Sequence, residues 1–264
     1  MVTEDLNYDA YGYLSPSKSF LDEIRDRNHS IDFVGFTQKY SEESQILDEW
    51  VPKKKNDFTY WFLGDVDHFS HRLGQDSDEA NVRFEELSLI IDNAYQRYQN
   101  FYGTDPIILA WSDHGHAMVR ENINLYHRKK GLRKILKTIS HVADVTCLRL
   151  WKEHLSEKDW NEKLEIILSF LDGKIEVFSE QEMKKLQMWP GDNRYGDIVI
   201  MLKKGYAFNR TIWGFSRGVV SQHGYNPEDD ELDGFVASND IELEQKIDIS
   251  DIRNIVVNII GNGN

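Results

Sequence analysis

The sequence predicts an α/β fold, in which a mostly parallel sheet lies between two layers of helices. Apolar runs typical of strands alternate with helical repeats from about residue 17 to residue 111. Short polar motifs follow two of these runs, and open α/β sheets present their ligands beyond the carboxyl ends of their strands. The rhythm changes over about residues 118–195, which predicts an inserted α+β subdomain within a single domain spanning residues 1–264.

The first part of the chain contains the strand–helix–strand pattern. Helices are predicted at about 17–27 and 41–50, and strands at 31–36 and 57–63. A long helix is predicted from Asp76 to Tyr102, because apolar residues recur at helical spacing and Gly103 follows. A strand at 106–111 comes next. This order favours parallel strands joined by right-handed crossovers.

The rest of the chain has a different pattern. Helices are predicted at 129–142, 157–171 and 248–260, and strands at 145–150, 174–178, 198–202 and 234–238. Basic residues gather between His127 and Lys137. We interpret them as one solvated helix face in preference to an anion-binding patch.

The acidity of the chain disfavours two classes of partner. Its formal net charge is −14 and its pI is about 5.1, which opposes binding to nucleic acid or to an anionic membrane. A phosphorylated substrate stays compatible, because bound metal ions reverse the local field. The single cysteine, Cys147, permits no internal disulfide, and the polar N-terminus resembles no signal peptide. We therefore expect a cytoplasmic protein.

The first candidate motif follows the apolar run at 60–63. Asp67 and His71 are four residues apart, and a carboxylate and an imidazole at this spacing can share one metal ion if the chain folds back. Asp65 competes with Asp67 for this role, or it caps the following helix. His68 is expected to be an exposed loop residue.

The second motif, Ser112-Asp113-His114-Gly115, follows the apolar run at 107–111. Gly115 would allow a turn in which Asp113 and His114 face one cleft. The alternative is a plain turn with a hydrogen-bonded histidine. His116 is expected to lie at the surface or outside the ligand set.

The third motif, Gln222-His223-Gly224-Tyr225, lies in a predicted loop. A lone loop histidine is seldom a ligand, so this motif gains weight only from its combination with the other two.

Taken together, the three motifs resemble the alkaline phosphatase superfamily, and most of all its type I phosphodiesterase and nucleotide pyrophosphatase branch. Residues 67–74 are similar to a D-x-x-G-H-x-x-G pattern, with Ser70 at the usual glycine, and residues 112–115 match S-D-H-G. The resemblance covers roughly residues 16–120 and 195–260, and it implies an alkaline phosphatase-like three-layer fold. It also implies a metal-dependent hydrolase that acts on a phosphorylated small molecule.

The resemblance further implies the metal ligands. Asp67, His71 and His223 would hold one ion, and Asp113 and His114 would hold a second. Mixed carboxylate and imidazole ligands suit Zn²⁺ best, with Mn²⁺ as the alternative.

One expected feature of the family is missing from the pattern. The family's domain opens with a strand that ends in a further metal-binding aspartate, followed by a Ser or Thr nucleophile. The first strand here, 31–36, ends in Val-Gly-Phe-Thr, so the catalytic nucleophile stays unassigned. We expect this sequence to be the C-terminal part of a longer enzyme, a chain completed by a separate N-terminal segment, or a remnant that binds metal without turnover.

The loss of opening strands would leave a sheet edge exposed. We therefore expect self-association, unless a chain supplying the N-terminal segment covers that edge. The alternative function is a non-catalytic metal-binding or interaction protein on the same fold.

Overall fold

The computed structural model describes residues 10–12, 14–35, 43–126, 132–186, 192–211, 214–215, 218–229 and 232–261. Its α-helices are α1 (Phe20–Asp26), α2 (Glu43–Glu49), α3 (Asp65–Leu73), α4 (Asp78–Tyr102), α5 (Leu132–Leu136), α6 (Glu157–Phe170), α7 (Glu180–Lys185) and α8 (Ile249–Gly261). Its strands are β1 (Ile31–Val34), β2 (Phe58–Trp61), β3 (Leu109–Trp111), β4 (Ala117–Met118), β5 (Glu121–Ile123), β6 (Ser140–Ala143), β7 (Cys147–Trp151), β8 (Ile175–Phe178), β9 (Ile198–Leu202), β10 (Tyr206–Phe208), β11 (Arg210–Thr211), β12 (Gly214–Phe215), β13 (Ser221–Gln222) and β14 (Val236–Ser238).

The chain divides into two compact units. The first unit comprises Met1–Phe69, Asp76–Asp113 and Gly234–Asn264, and the second comprises Ser70–Gln75 and His114–Asp233. The predicted insertion at 118–195 lies inside the second unit, and its status as an insertion stays a prediction.

The strands of the first unit pair in both directions. β1 pairs with β2 in parallel, with Ile31 opposite Phe58, as the sequence predicted for these two strands. β3 instead pairs with β14 in antiparallel fashion, with Trp111 opposite Val236. The mixed α/β class is thus confirmed, whereas a single parallel sheet between two helix layers stays a prediction.

The long helix α4 of the first unit has ends that its sequence specifies. The Ser77 side chain caps its N-terminus by accepting a hydrogen bond from the Ala80 backbone N–H at 3.1 Å. At the other end Gly103 adopts the left-handed conformation (φ 74°), and its N–H donates to the Gln99 carbonyl. The prediction of a helix ending at Gly103 is confirmed.

The second unit contains a four-stranded antiparallel sheet in the order β6-β7-β9-β8. Leu148 of β7 and Ile200 of β9 are fully buried, and they pack in one core with Trp160 and Ile167 of α6. The predicted helix at 157–171 and the strands at 145–150, 174–178 and 198–202 are confirmed.

The helix predicted at 129–142 is largely wrong. Within the described part of this segment, residues 132–142, a helix forms only at Leu132–Leu136, and Ser140–Ala143 forms β6, paired with β7. The apolar spacing of this segment fits a helix, but pairing with β7 decides its structure, as tertiary context often does. Residues 127–131, which include most of the predicted basic patch, lie outside the described residues.

Short strand pairs complete the second unit. β4 pairs with β13 in antiparallel fashion, and β5 pairs with β10 in parallel. Among the residues whose structure is described, no helix is both long and apolar enough to cross a bilayer.

The core around β9 gives a first test. The Ile200→Ala variant should lose about 2–5 kcal/mol of unfolding free energy, because it leaves a cavity in a fully packed interior. Val177→Ala is the matched control, since Val177 lies on the neighbouring strand β8 but is 43% exposed, and it should cost about 0.5 kcal/mol or less. Urea unfolding of the full chain measures both, and equal losses would contradict this description of the core.

Candidate metal centre

The first motif lies on helix α3, where the sequence suggested a turn. Asp67 precedes His71 by one helical turn in α3, a spacing that places two side chains on the same face. Asp65 is the first residue of α3, and its carboxylate accepts a hydrogen bond from the Ser44 N–H at 2.6 Å. Asp65 therefore accepts a hydrogen bond from a backbone N–H in the first turn of α2. His68 is exposed, as predicted, although on a helix.

The second motif follows β3, and hydrogen bonds to the segment before β14 hold its backbone. The Ser112 N–H donates to the Phe235 carbonyl at 3.0 Å, and the Gly115 N–H donates to the Leu232 carbonyl at 2.8 Å. A Cβ at position 115 would lie 2.8 Å from the Asp233 carbonyl oxygen. The motif needs glycine here because a side chain would collide with this backbone. This is a second reason for glycine, beside the turn that the sequence suggested.

The two residues before Gly115 have different surroundings. Asp113 is an exposed residue at the end of the first unit, whereas His114 is half-buried in the second. In the first unit, burial raises the pKa of Tyr60, and the negative charge of Asp113 raises it further by a smaller amount.

The third motif is fixed by strand pairing and by two side chains. β13 pairs with β4, so that Gln222 lies opposite Ala117. Gly224 adopts φ 78°, and the Thr146 hydroxyl donates to its carbonyl at 2.6 Å. The buried Tyr225 donates its hydroxyl hydrogen to the Tyr206 carbonyl at 2.9 Å. These contacts hold the backbone on both sides of His223.

Four histidines of the second unit meet where these segments come together, and we call them the imidazole cluster: His71, His114, His116 and His223. The rings of His114 and His223 stack at 3.7 Å between centroids with 14° between planes. His71 lies 5.2 Å from His223 and 4.8 Å from His116, and His116 lies 5.3 Å from His223. The structure therefore brings together the three histidines that the sequence singled out and adds a fourth.

Backbone carbonyls set the hydrogen positions on two of these rings. His71 Nδ1 lies 2.9 Å from the Ser221 carbonyl oxygen, and His114 Nδ1 lies 3.2 Å from that of Gly115. A carbonyl only accepts hydrogen bonds, so each neutral ring carries its hydrogen on Nδ1. The lone pair then resides on Nε2, which is one of the two ring nitrogens through which a neutral imidazole binds a metal.

The donor set fits a divalent transition ion. One ring nitrogen from each of His114, His116 and His223 lies within 4.8 Å of the others. Two ligands of one tetrahedral Zn²⁺ lie about 3.4 Å apart, so the most widely separated of these nitrogens would have to move closer to share one ion. Imidazole is a common ligand of zinc, copper, iron and nickel.

Sequence reasoning gave no role to Ser221 and two alternatives for His116, the surface or a position outside the ligand set. The surface alternative is wrong, because His116 is only 8% exposed and lies in the imidazole cluster, whereas its position outside the ligand set stays a prediction. The available signal was the alternation of His114 and His116 just before the apolar Ala117, which is consistent with entry into a strand. Nothing local distinguished Ser221 from other loop serines, because its contacts are with residues about 100 and 150 positions away.

A comparison with protein-family sequence models finds that residues 4–247 match the family described as type I phosphodiesterase/nucleotide pyrophosphatase. A search of curated proteins finds no match.

Solved structures share the fold. Murine ectonucleotide pyrophosphatase/phosphodiesterase 5 matches with a TM-score of 0.65 and 12% identity, over 93% of this chain and 70% of the murine chain. The human protein of the same name matches with a TM-score of 0.67 and 11% identity, again over 93% and 70%. An inactive variant of the murine protein in complex with AMP matches with a TM-score of 0.59 and 13% identity, over 84% of this chain and 63% of the other.

Tyr225 offers a test of the loop that carries His223. Burial raises the pKa of Tyr225 to about 12, so the folded protein keeps this proton at pH values where an unfolded tyrosine, with a pKa of about 10, loses it. Tyr225→Phe should cost about 1 kcal/mol near pH 8, because the Tyr206 carbonyl loses its donor.

Above about pH 10 the wild type should lose roughly 1.4 kcal/mol of stability per pH unit from this group, until its folded pKa is reached, whereas the phenylalanine variant should not. The stability difference between the two proteins should therefore shrink as the pH rises from about 8 to about 11. Denaturant unfolding across this range measures it, and a constant difference would contradict the burial of the hydroxyl.

Proposed function

Because the chain belongs to the type I phosphodiesterase/nucleotide pyrophosphatase family, we propose that it is a metal-dependent hydrolase of phosphate esters. The imidazole cluster carries this proposal. It gathers one histidine from each of the three sequence motifs, His71, His114 and His223, within one unit of the protein. Convergence of three motifs that are far apart in sequence on one group of imidazoles is the arrangement that a shared metal centre needs.

The proposed ligands follow the motifs. Asp67, His71 and His223 would bind one ion, and Asp113 and His114 would bind a second. The position of Asp67 one turn before His71 in α3 supports the first set. Zn²⁺ is the proposed metal, since imidazoles outnumber carboxylates among these residues, and Mn²⁺ is the alternative.

Bound divalent ions would supply Lewis-acid polarisation of a phosphoryl oxygen and would favour ionisation of an attacking hydroxyl or water. The residues of this chain would contribute orientation. The Ser221 and Gly115 carbonyls hold the hydrogens of His71 and His114 on Nδ1, so the lone pairs of the neutral rings reside on Nε2 and binding there needs no change of tautomer. This preorganisation lowers the cost of forming the centre.

A nucleotide is the first substrate class to test. The family acts on phosphorylated small molecules such as nucleotides, and an inactive variant of the murine relative was solved with AMP. We propose a phosphodiester that releases a nucleoside monophosphate. The acidic net charge of −14 makes the metal ions the main source of attraction for such an anion.

The nucleophile is the unassigned part of this proposal. No residue is assigned to this role, and the non-catalytic alternative stays a prediction. The hydrolase and the non-catalytic alternative both give a protein that binds zinc through the same residues, so metal binding and turnover must be measured separately.

The test is hydrolysis of an aryl phosphodiester by the full chain with added Zn²⁺ or Mn²⁺, together with the zinc content of the same samples. We expect turnover that falls about 100-fold or more in His223→Ala, with a loss of bound zinc, because a direct ligand has been removed. His68→Ala is the matched control. It removes an exposed histidine from the helix that also holds His71, and it should leave both readouts unchanged.

Zinc binding by the wild type without turnover would contradict the hydrolase proposal for this chain and favour the non-catalytic alternative. Absence of zinc binding would contradict both.

A further inference from the structure

His116 lies outside the three motifs, yet it is one of the more deeply buried histidines of the second unit. It is 8% exposed, and its ring lies 4.8 Å from that of His71 and 5.6 Å from that of His114. The S-D-H-G motif ends at Gly115, so the resemblance to the family assigns His116 no role.

Ser221 determines where His116 carries its hydrogen. The Ser221 hydroxyl donates its only hydrogen to the Ser70 carbonyl at 2.6 Å. His116 Nδ1 lies 3.1 Å from the same oxygen, and it must therefore be the donor in that contact. Neutral His116 thus has its hydrogen on Nδ1 and its lone pair on Nε2.

The same serine also acts on His71. Its backbone carbonyl accepts from His71 Nδ1, while its hydroxyl accepts from His116 Nδ1. One residue therefore holds two imidazoles in the tautomer with the lone pair on Nε2, and hydrogen-bonded outer partners of this kind are typical of metal-binding histidines.

We propose that His116 is a further ligand of the metal centre and that Ser221 is the residue that positions it. This inference rests on the metal centre of the proposed function, but not on turnover. One ring nitrogen of His116 lies within 4.8 Å of a ring nitrogen of His114 and of one of His223. A further imidazole makes the centre richer in nitrogen ligands, which favours Zn²⁺, or the related Co²⁺ and Ni²⁺, over Mn²⁺.

The central experiment is equilibrium Zn²⁺ binding by the full chain, measured by competition with a chromophoric chelator, with the Co²⁺ absorption spectrum as a second readout. His116→Ala should lower zinc affinity about 100-fold and change the Co²⁺ spectrum, because one nitrogen ligand is lost. Ser221→Ala should lower zinc affinity about 10-fold, and Ser221→Thr, which keeps the hydroxyl, should restore most of it.

His141→Ala is the matched control. His141 is a half-buried histidine of the same unit that is hydrogen-bonded to the Tyr126 hydroxyl at 2.8 Å, so its removal also costs a buried contact. It should leave zinc affinity and the Co²⁺ spectrum unchanged.

The ¹⁵N spectrum of histidines in the wild type provides a measurement that needs no variant to fold. His116 should show hydrogen on Nδ1, and its Nε2 resonance should shift when Zn²⁺ is added. A folded His116→Ala variant with the zinc affinity and Co²⁺ spectrum of the wild type would overturn the inference, as would a His116 Nε2 resonance that zinc leaves in place. Zinc binding that depends on His116 without any turnover would support the inference while the hydrolase proposal fails.

Discussion

The hydrogen bonds of Ser221 are the contacts on which the imidazole cluster depends. Its strand, β13, pairs with β4 directly after His116, its hydroxyl donates to Ser70, and its carbonyl accepts from His71. These contacts join the end of α3, the segment after S-D-H-G and the loop of His223 within the second unit. A small polar residue is required, because its hydroxyl must donate to a carbonyl and accept from an imidazole in a fully buried position.

Local sequence signals predicted those elements whose structure is decided locally. Ser77 and Gly103 delimit α4 through capping contacts that involve only neighbouring residues, and the helical repeat of α6 was equally clear. Signals were weaker where a distant partner decides the structure. β3 reads as a member of a parallel sheet, but its described partner, β14, lies about 125 residues later and runs antiparallel. Residues 140–143 have helical spacing, yet pairing with β7 makes them a strand.

The same distinction applies to the candidate metal centre. Motif combination identified His71, His114 and His223, whose rings lie together in the second unit. The sequence did not predict that His116 lies with them, because a histidine beside a motif has no distinguishing pattern until the strand pairing of β4 with β13 is known. The family match over residues 4–247 and the shared fold at 11–13% identity agree with the motifs, although so low an identity conveys architecture rather than chemistry.

The central claim is that histidines from three separate motifs bind one metal centre. X-ray absorption at the zinc edge of the zinc-loaded full chain tests it most directly, because imidazole rings give a recognisable outer-shell scattering pattern and nitrogen ligands lie at about 2.0–2.1 Å. The account predicts at least two imidazoles per zinc and no sulfur, since Cys147 is buried and burial raises its pKa. A spectrum without imidazole scattering, or with sulfur at about 2.3 Å, would contradict it.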